Sequence, residues 1–138
     1  MPAPVLPPIL IVDDSATDSF LAKRLLEEAR VPNPVFTFDD GQEAVEFLET
    51  MRRTPGSNLV PAVLFLDLKM VRMSGLDVIA RIRRQSEFDG MRVIVFTSGG
   101  GDAELQAKAD AAGADGFYAK FPGREVIARI VAGAAGAD

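Results

Sequence analysis

The chain alternates between short apolar runs and longer segments in which apolar residues recur every three or four positions. The short runs are rich in Val, Ile, Leu and Phe, and each leads into a polar side chain. "ILIVDD" ends at Asp13 and Asp14, "AVLFLD" at Asp67, "VIVFT" at Thr97 and "GFYAK" at Lys120. A further run, "PVFTF" (34–38), leads into Asp39 and Asp40. Runs of this length and composition predict buried β-strands.

The intervening segments predict helices. Ala22, Leu25, Leu26 and Ala29 keep one face, as do Ala44, Phe47, Leu48 and Met51. A third helix follows Ser74, with Leu76, Ile79 and Ala80 on its stripe. A fourth starts near Asp102 and stops at Gly113, and Val126, Ile127, Ile130 and Val131 mark a fifth. Ser15, Asp40, Ser74 and Asp102 stand where N-caps are expected, and Asp40 with Glu43 forms a capping-box pattern. Strand–helix alternation with fully apolar strands implies an α/β fold with a parallel sheet covered on both faces. Ligands bind such sheets beyond the carboxyl ends of the strands. Asp13, Asp14, Asp67, Thr97 and Lys120 are expected to meet there.

Composition narrows the chemistry. With 138 residues, 48% of them hydrophobic, the chain suits one domain with a substantial core. We expect a proline-rich tail over 1–7, a folded unit over 8–133 and a flexible tail over 134–138. The net charge is −5 with no basic stripe, which argues against nucleic-acid binding. There is no cysteine, so disulfides and thiolate metal sites are excluded. There is no histidine, which removes Ser-His and Cys-His catalysis, histidine-bound zinc and any phosphohistidine of the chain's own. "MPAPVLPP" lacks the basic start and apolar core of a signal peptide, and no apolar run reaches membrane-spanning length. A cytoplasmic protein without a membrane association is expected. The loop from Arg52 to Pro61 reads as long and exposed, and Gly99, Gly100 and Gly101 read as a mobile loop rather than a phosphate-binding P-loop.

Burying a lone carboxylate at a strand end costs several kcal/mol, of order ~3 or more, unless it is compensated. Three carboxylates in one place repel, so at least one pKa should rise or a cation should bind. Their hard oxygens suit Mg²⁺ better than a transition metal. Lys120 adds positive charge and Thr97 a hydroxyl donor. A cation, an ammonium and a hydroxyl around one carboxylate suit phosphoryl chemistry, with Asp67 as the nucleophile. Singly, these residues read as a cap, a turn aspartate, a strand threonine and a surface lysine. Their conjunction at successive strand ends carries the assignment.

The motifs "VDD" (12–14), "DLKMVRMSG" (67–75), "FTS" (96–98) and "GADGFYAK" (113–120) together resemble the response regulator receiver domain of two-component systems, over about Pro8 to Val131. The resemblance implies a flavodoxin-like fold, a five-stranded parallel sheet of order 2-1-3-4-5 with five helices. It implies that Asp67 accepts a phosphoryl group from a partner histidine kinase or histidine phosphotransfer protein. Mg²⁺ is then held by Asp14, Asp67 and the Lys69 carbonyl, with Asp13 holding a metal-bound water. Thr97 and Lys120 contact phosphoryl oxygens, and Phe117 matches an aromatic whose rotamer couples to Thr97. Such a protein is not an enzyme for a separate substrate, acting only on its own phosphoryl group. The lengthened segment before "PAVLFLDLKM" is similar to single-domain regulators that partner phytochrome-type kinases. The output partner is unknown. The last helix, fourth helix and fifth strand form the expected partner or homodimer face.

The sequence departs from the family pattern at Val71, where proline is usual, at Ser74, where an aspartate is usual, and at "KFP", where Phe121 separates Lys120 from Pro122. Family members have a cis lysine–proline bond. Here Lys120–Phe121 is expected to be trans, with any cis bond moved to Phe121–Pro122. No output domain follows the fifth helix in this sequence, so a single-domain switch is expected. Alternatives are a phosphorelay intermediate or phosphate sink, and a degenerate receiver acting as a constitutive interaction module. A haloacid-dehalogenase-like phosphatase needs a second acid two residues after Asp67, where Lys69 stands.

Overall fold

The computed structural model describes residues 6–54, 60–98 and 103–134. The elements follow the expected alternation: β1 (Ile9–Val12), α1 (Ala16–Glu28), β2 (Val35–Phe38), α2 (Gly41–Arg53), β3 (Val63–Asp67), α3 (Gly75–Arg83), β4 (Arg92–Thr97), α4 (Ala103–Ala112), β5 (Gly116–Ala119) and α5 (Arg124–Ala134). A short 3-10 turn spans Ser86–Phe88. The strands form one sheet of order β2-β1-β3-β4-β5, and every pairing is parallel.

The strand alternation sorts the core into two layers. Leu10, Val12, Leu64, Leu66, Val93 and Val95 face α2, α3 and α4. Ile9, Ile11, Val63, Phe65, Ile94 and Phe96 face α1 and α5. The three central strands are buried on both sides, as continuous apolar runs in parallel sheets should be. The outer strands are not: β2 and β5 each have one neighbour and keep partly exposed residues, Phe36 at 43% among them.

Three of the expected caps form. Ser15 Oγ accepts from the Asp18 amide, Asp40 Oδ1 from the Gln42 and Glu43 amides, and Ser74 Oγ from the Asp77 amide. Such a cap contributes about 1 kcal/mol. The fourth, Asp102, lies outside the described residues, as do part of the loop before β3 (55–59) and the glycine run 99–101. The stripe of α3 differs from expectation. Gly75, Val78, Ile79 and Ile82 are buried, while Leu76 and Ala80 are only partly so. Gly75 sets this phase: a Cβ there would lie 2.5 Å from the Asp67 carbonyl oxygen, so α3 turns its glycine edge towards β3.

The Lys120–Phe121 peptide is cis, which corrects the expected trans bond. That expectation rested on the intrinsic preference of a non-proline amide. Contacts flank the bond on both sides. The Lys120 amide donates to the Thr97 carbonyl at 2.8 Å, its ammonium is paired with acids, and the Phe121 ring meets Phe96 edge-on at 6.1 Å.

Arg83, at the end of α3, closes the opposite end of this layer. Its guanidinium donates to the carbonyls of Gly113, Phe88 and Met91 and to Asp115 Oδ2, all within 2.8–3.0 Å. Asp115 Oδ2 also accepts the Val93 amide at 2.8 Å. Gly113 has φ +117°, and a side chain there would strike Arg83. One residue thus ties α3, the 3-10 turn and the α4–β5 connection to β4. Arg83→Met leaves these acceptors without their donor and is expected to cost about 2–4 kcal/mol, read from the urea midpoint. A loss within the scatter of surface substitutions would show that the network is dispensable.

Candidate functional site

The strand order reverses between β1 and β3, and the crevice beyond their carboxyl ends is where the acidic residues lie. Asp13 and Asp14 follow β1, and Asp67 is the last residue of β3. Each carboxylate offers an oxygen within 4.8 Å of the others. Asp13 is buried and fixed locally, because its Oδ1 accepts the Ser15 amide at 2.9 Å. Asp14 is exposed, and its Oδ2 accepts the Val71 amide at 3.1 Å, tying the β3–α3 loop to the site. Asp67 is 8% exposed.

Lys120 enters from the end of β5 with its side chain only 7% exposed. Its Nζ lies 2.6 Å from Asp13 Oδ2, 2.9 Å from Asp18 Oδ2 and 3.9 Å from Asp67 Oδ1. The last distance is an ion pair beyond hydrogen-bond range. Burial pushes the Asp67 carboxyl above its ordinary value. Lys120 opposes this, Asp13 and Asp14 add to it, and a hydrogen bond from the Lys69 amide works against it. Burial alone would lower the Lys120 pKa, but its hydrogen bonds to Asp13 and Asp18 and the charges of Asp13 and Asp67 raise it. The ammonium is therefore firmly protonated.

Thr97 is buried at the end of β4. Its neighbour Phe96 is the register partner of Asp67, so Thr97 sits one residue further along the adjacent strand. Phe117 pairs with Val95, and Ala119 pairs with Thr97. Alternation places Phe117 on the same sheet face as Val95 and Thr97, half-buried against the α2–α3–α4 layer. Lys69 is exposed just past Asp67. All the residues singled out in the sequence thus lie at one end of the sheet or on the strand leading to it.

Sequence reasoning passed over Asp18. It reads there as an ordinary acid in a helix first turn, favoured by the helix dipole. Its only local signal is a five-residue spacing from Asp13, and its partner is more than one hundred residues away, since Lys120 and Asp18 are separated by 102 positions. Arg72 was also unassigned. Its guanidinium pairs with Asp40 at 3.0 Å across a cleft of about 450 Å³ that Asp14, Asp39 and Val71 also line.

Three carboxylates, Asp13, Asp18 and Asp67, lie within 3.9 Å of one ammonium, and Asp14 clusters with two of them, which leaves a surplus of negative charge. The donors are all hard oxygens. This arrangement fits a hard divalent cation such as Mg²⁺.

A family model described as the response regulator receiver domain matches residues 9–132. Chemotaxis protein CheY1 of Helicobacter pylori is 33% identical over 97 residues, which is 70% of this chain and 72% of that protein. Response regulator Rcp1 of Synechocystis sp. is 29% identical over 90 residues, 65% of this chain and 60% of that protein, so the chain spans less than two thirds of that relative. The solved structure of the bacteriophytochrome response regulator AtBRR superposes with a TM-score of 0.75 and 28% identity, covering 95% of each chain.

The raised Asp67 pKa has a signed consequence. The folded state binds a proton at Asp67 more readily than the unfolded chain does. Its stabilising contribution is fully present below the unfolded value and is lost as pH rises through the folded one. Asp67→Asn removes that loss. The variant is expected to have a higher urea midpoint than wild type at neutral pH, with the gap narrowing as pH falls and closing by about pH 4, the ordinary carboxylate value. A gap that stays constant over this range would count against burial as the cause.

Proposed function

The chain belongs to the response regulator receiver domain family, and on that premise we propose that Asp67 accepts a phosphoryl group from a phosphohistidine on a partner protein. Receiver domains are signalling domains of two-component systems that take phosphoryl groups from histidine kinases and bind Mg²⁺ at an acidic pocket. The observation that carries the assignment to Asp67 is its setting. It alone of the clustered acids ends a central strand, with Asp13 and Asp14 beside it and Lys120 Nζ 3.9 Å away.

An Asp67 carboxylate oxygen attacks phosphorus. The P–N bond to the donor imidazole breaks, and the nitrogen keeps the bonding pair and takes a proton from solvent. Asp14, Asp67 and the Lys69 carbonyl would hold Mg²⁺, with Asp13 joined through water, and the bound ion supplies positive charge against the phosphoryl oxygens. Lys120 supplies further positive charge and Thr97 a hydroxyl donor. Phe117, sharing a sheet face with Thr97, is the candidate for passing the change to the α4–β5–α5 surface.

The receiver unit is taken as 8–133, acting in the cytoplasm as a switch for a protein partner. Among the described residues no helix is long and apolar enough to cross a membrane. A phytochrome-type kinase is the proposed donor, supported by the likeness to the bacteriophytochrome regulator over nearly the whole chain.

Intact mass after incubation with Mg²⁺ and acetyl phosphate tests this. Wild type is expected to gain one phosphoryl group, and Asp67→Ala or chelation of Mg²⁺ to abolish the gain. Lys120→Ala should slow uptake by about 10²-fold, the usual loss when one charge-stabilising donor is removed. No adduct in wild type, from acetyl phosphate or from a histidine kinase, would reject Asp67 as acceptor. Decay of the adduct separates a switch from a relay or sink, which loses its phosphoryl group quickly or returns it to histidine.

A further inference from the structure

We propose that Asp18 is a positioning residue that holds Lys120 in its resting place and competes for it with the phosphoryl group on Asp67. The inference rests on Asp67 being the acceptor. Asp18 stands in the first turn of α1, where Ser15 caps its amide at 3.2 Å, so its backbone is fixed by the helix start. Its carboxylate reaches over the site and accepts from Lys120 Nζ at 2.9 Å. It is not one of the three mutually close carboxylates suited to a metal. Its side chain is instead engaged by the lysine.

An ammonium has three N–H donors. In the resting state two are engaged within hydrogen-bond range, by Asp13 at 2.6 Å and Asp18 at 2.9 Å. Asp67 Oδ1, at 3.9 Å, has only the ion pair. A phosphoryl group on Asp67 brings new anionic oxygens towards Nζ, and the ammonium must turn to them. Asp13 is the less able to release it, being buried at the strand end with its other oxygen fixed by the Ser15 amide. The Asp18 side chain is 29% exposed, against 7% for Asp13, and water can replace the lysine there. Asp18 also places negative charge beside the phosphoryl group. Both effects favour the unphosphorylated state, so removing the Asp18 carboxylate should favour the phosphorylated one.

The test uses the whole chain with Mg²⁺ and limiting acetyl phosphate. An Asp67 oxygen attacks phosphorus, the P–O bond to acetate breaks, and acetate leaves with the bonding pair. In Asp18→Ala the steady-state ratio of phosphorylated to unphosphorylated protein, read by intact mass, is expected to rise about tenfold, the size of one charge-assisted hydrogen bond. The near-isosteric Asp18→Asn should shift the same way, and Asp18→Glu should return the ratio towards wild type. Damage to the fold lowers uptake and cannot produce the rise or its reversal. Ratios at or below wild type in both Asp18→Ala and Asp18→Asn overturn the inference while leaving Asp67 as acceptor. If wild type takes up no phosphoryl group, the acceptor assignment fails and carries this inference with it.

Discussion

A carboxylate at the end of a central, fully buried strand must be compensated, and the ammonium of Lys120 is the fixed positive charge that the structure brings to Asp67. The pairing is incomplete. Lys120 is closer to Asp13 and Asp18 than to Asp67, and burial keeps the Asp67 carboxyl above its ordinary range. An acid that is buried, only partly compensated and surrounded by other acids is poised to change its charge state or to gain a cation. The remaining features of this end of the molecule serve that imbalance.

The geometry depends on where helices can start. Ser15 opens α1 directly after Asp13 and Asp14, which turns Asp18 back over the strand end. Ser74 opens α3 after a loop held to Asp14 through the Val71 amide, and Gly75 lets the helix approach the Asp67 backbone closely. The loops are short and tethered, so the acids converge with little freedom. At the far side, Phe65 stacks on Phe96 at 4.9 Å, and Phe121 meets Phe96 edge-on. In this chain an aromatic replaces the usual proline after the lysine, and it packs into the α1–α5 layer.

Stability and chemistry occupy opposite ends of the sheet. Arg83 and Asp115 join elements near the amino end of β4, where no cluster of acids gathers among the described residues. There, the Arg83 and Asp115 charges are paired and share their hydrogen bonds with the backbone. At the carboxyl ends the surplus of acid over base is left in place. A parallel sheet separates these roles because all its strands point one way.

Much of this was legible in the residues themselves. Apolar runs and helical spacings determined five strands and five helices, since periodicity reflects which side chains can be buried together. Three caps were readable because capping is a contact between residues three apart or nearer. The strand-end positions of Asp13, Asp14, Asp67, Thr97 and Lys120 followed from the same pattern. What the tertiary structure alone decided are contacts between distant residues and the phase in which elements meet. The inward face of α3 depends on a close approach at Gly75, and the bond after Lys120 is cis against the intrinsic preference of a non-proline peptide. Asp18 looks like any acid in a first helical turn until folding brings Lys120 across 102 residues to meet it. Local propensity acts over a few residues, whereas charge compensation in a buried site acts through space, and only the folded chain supplies that distance.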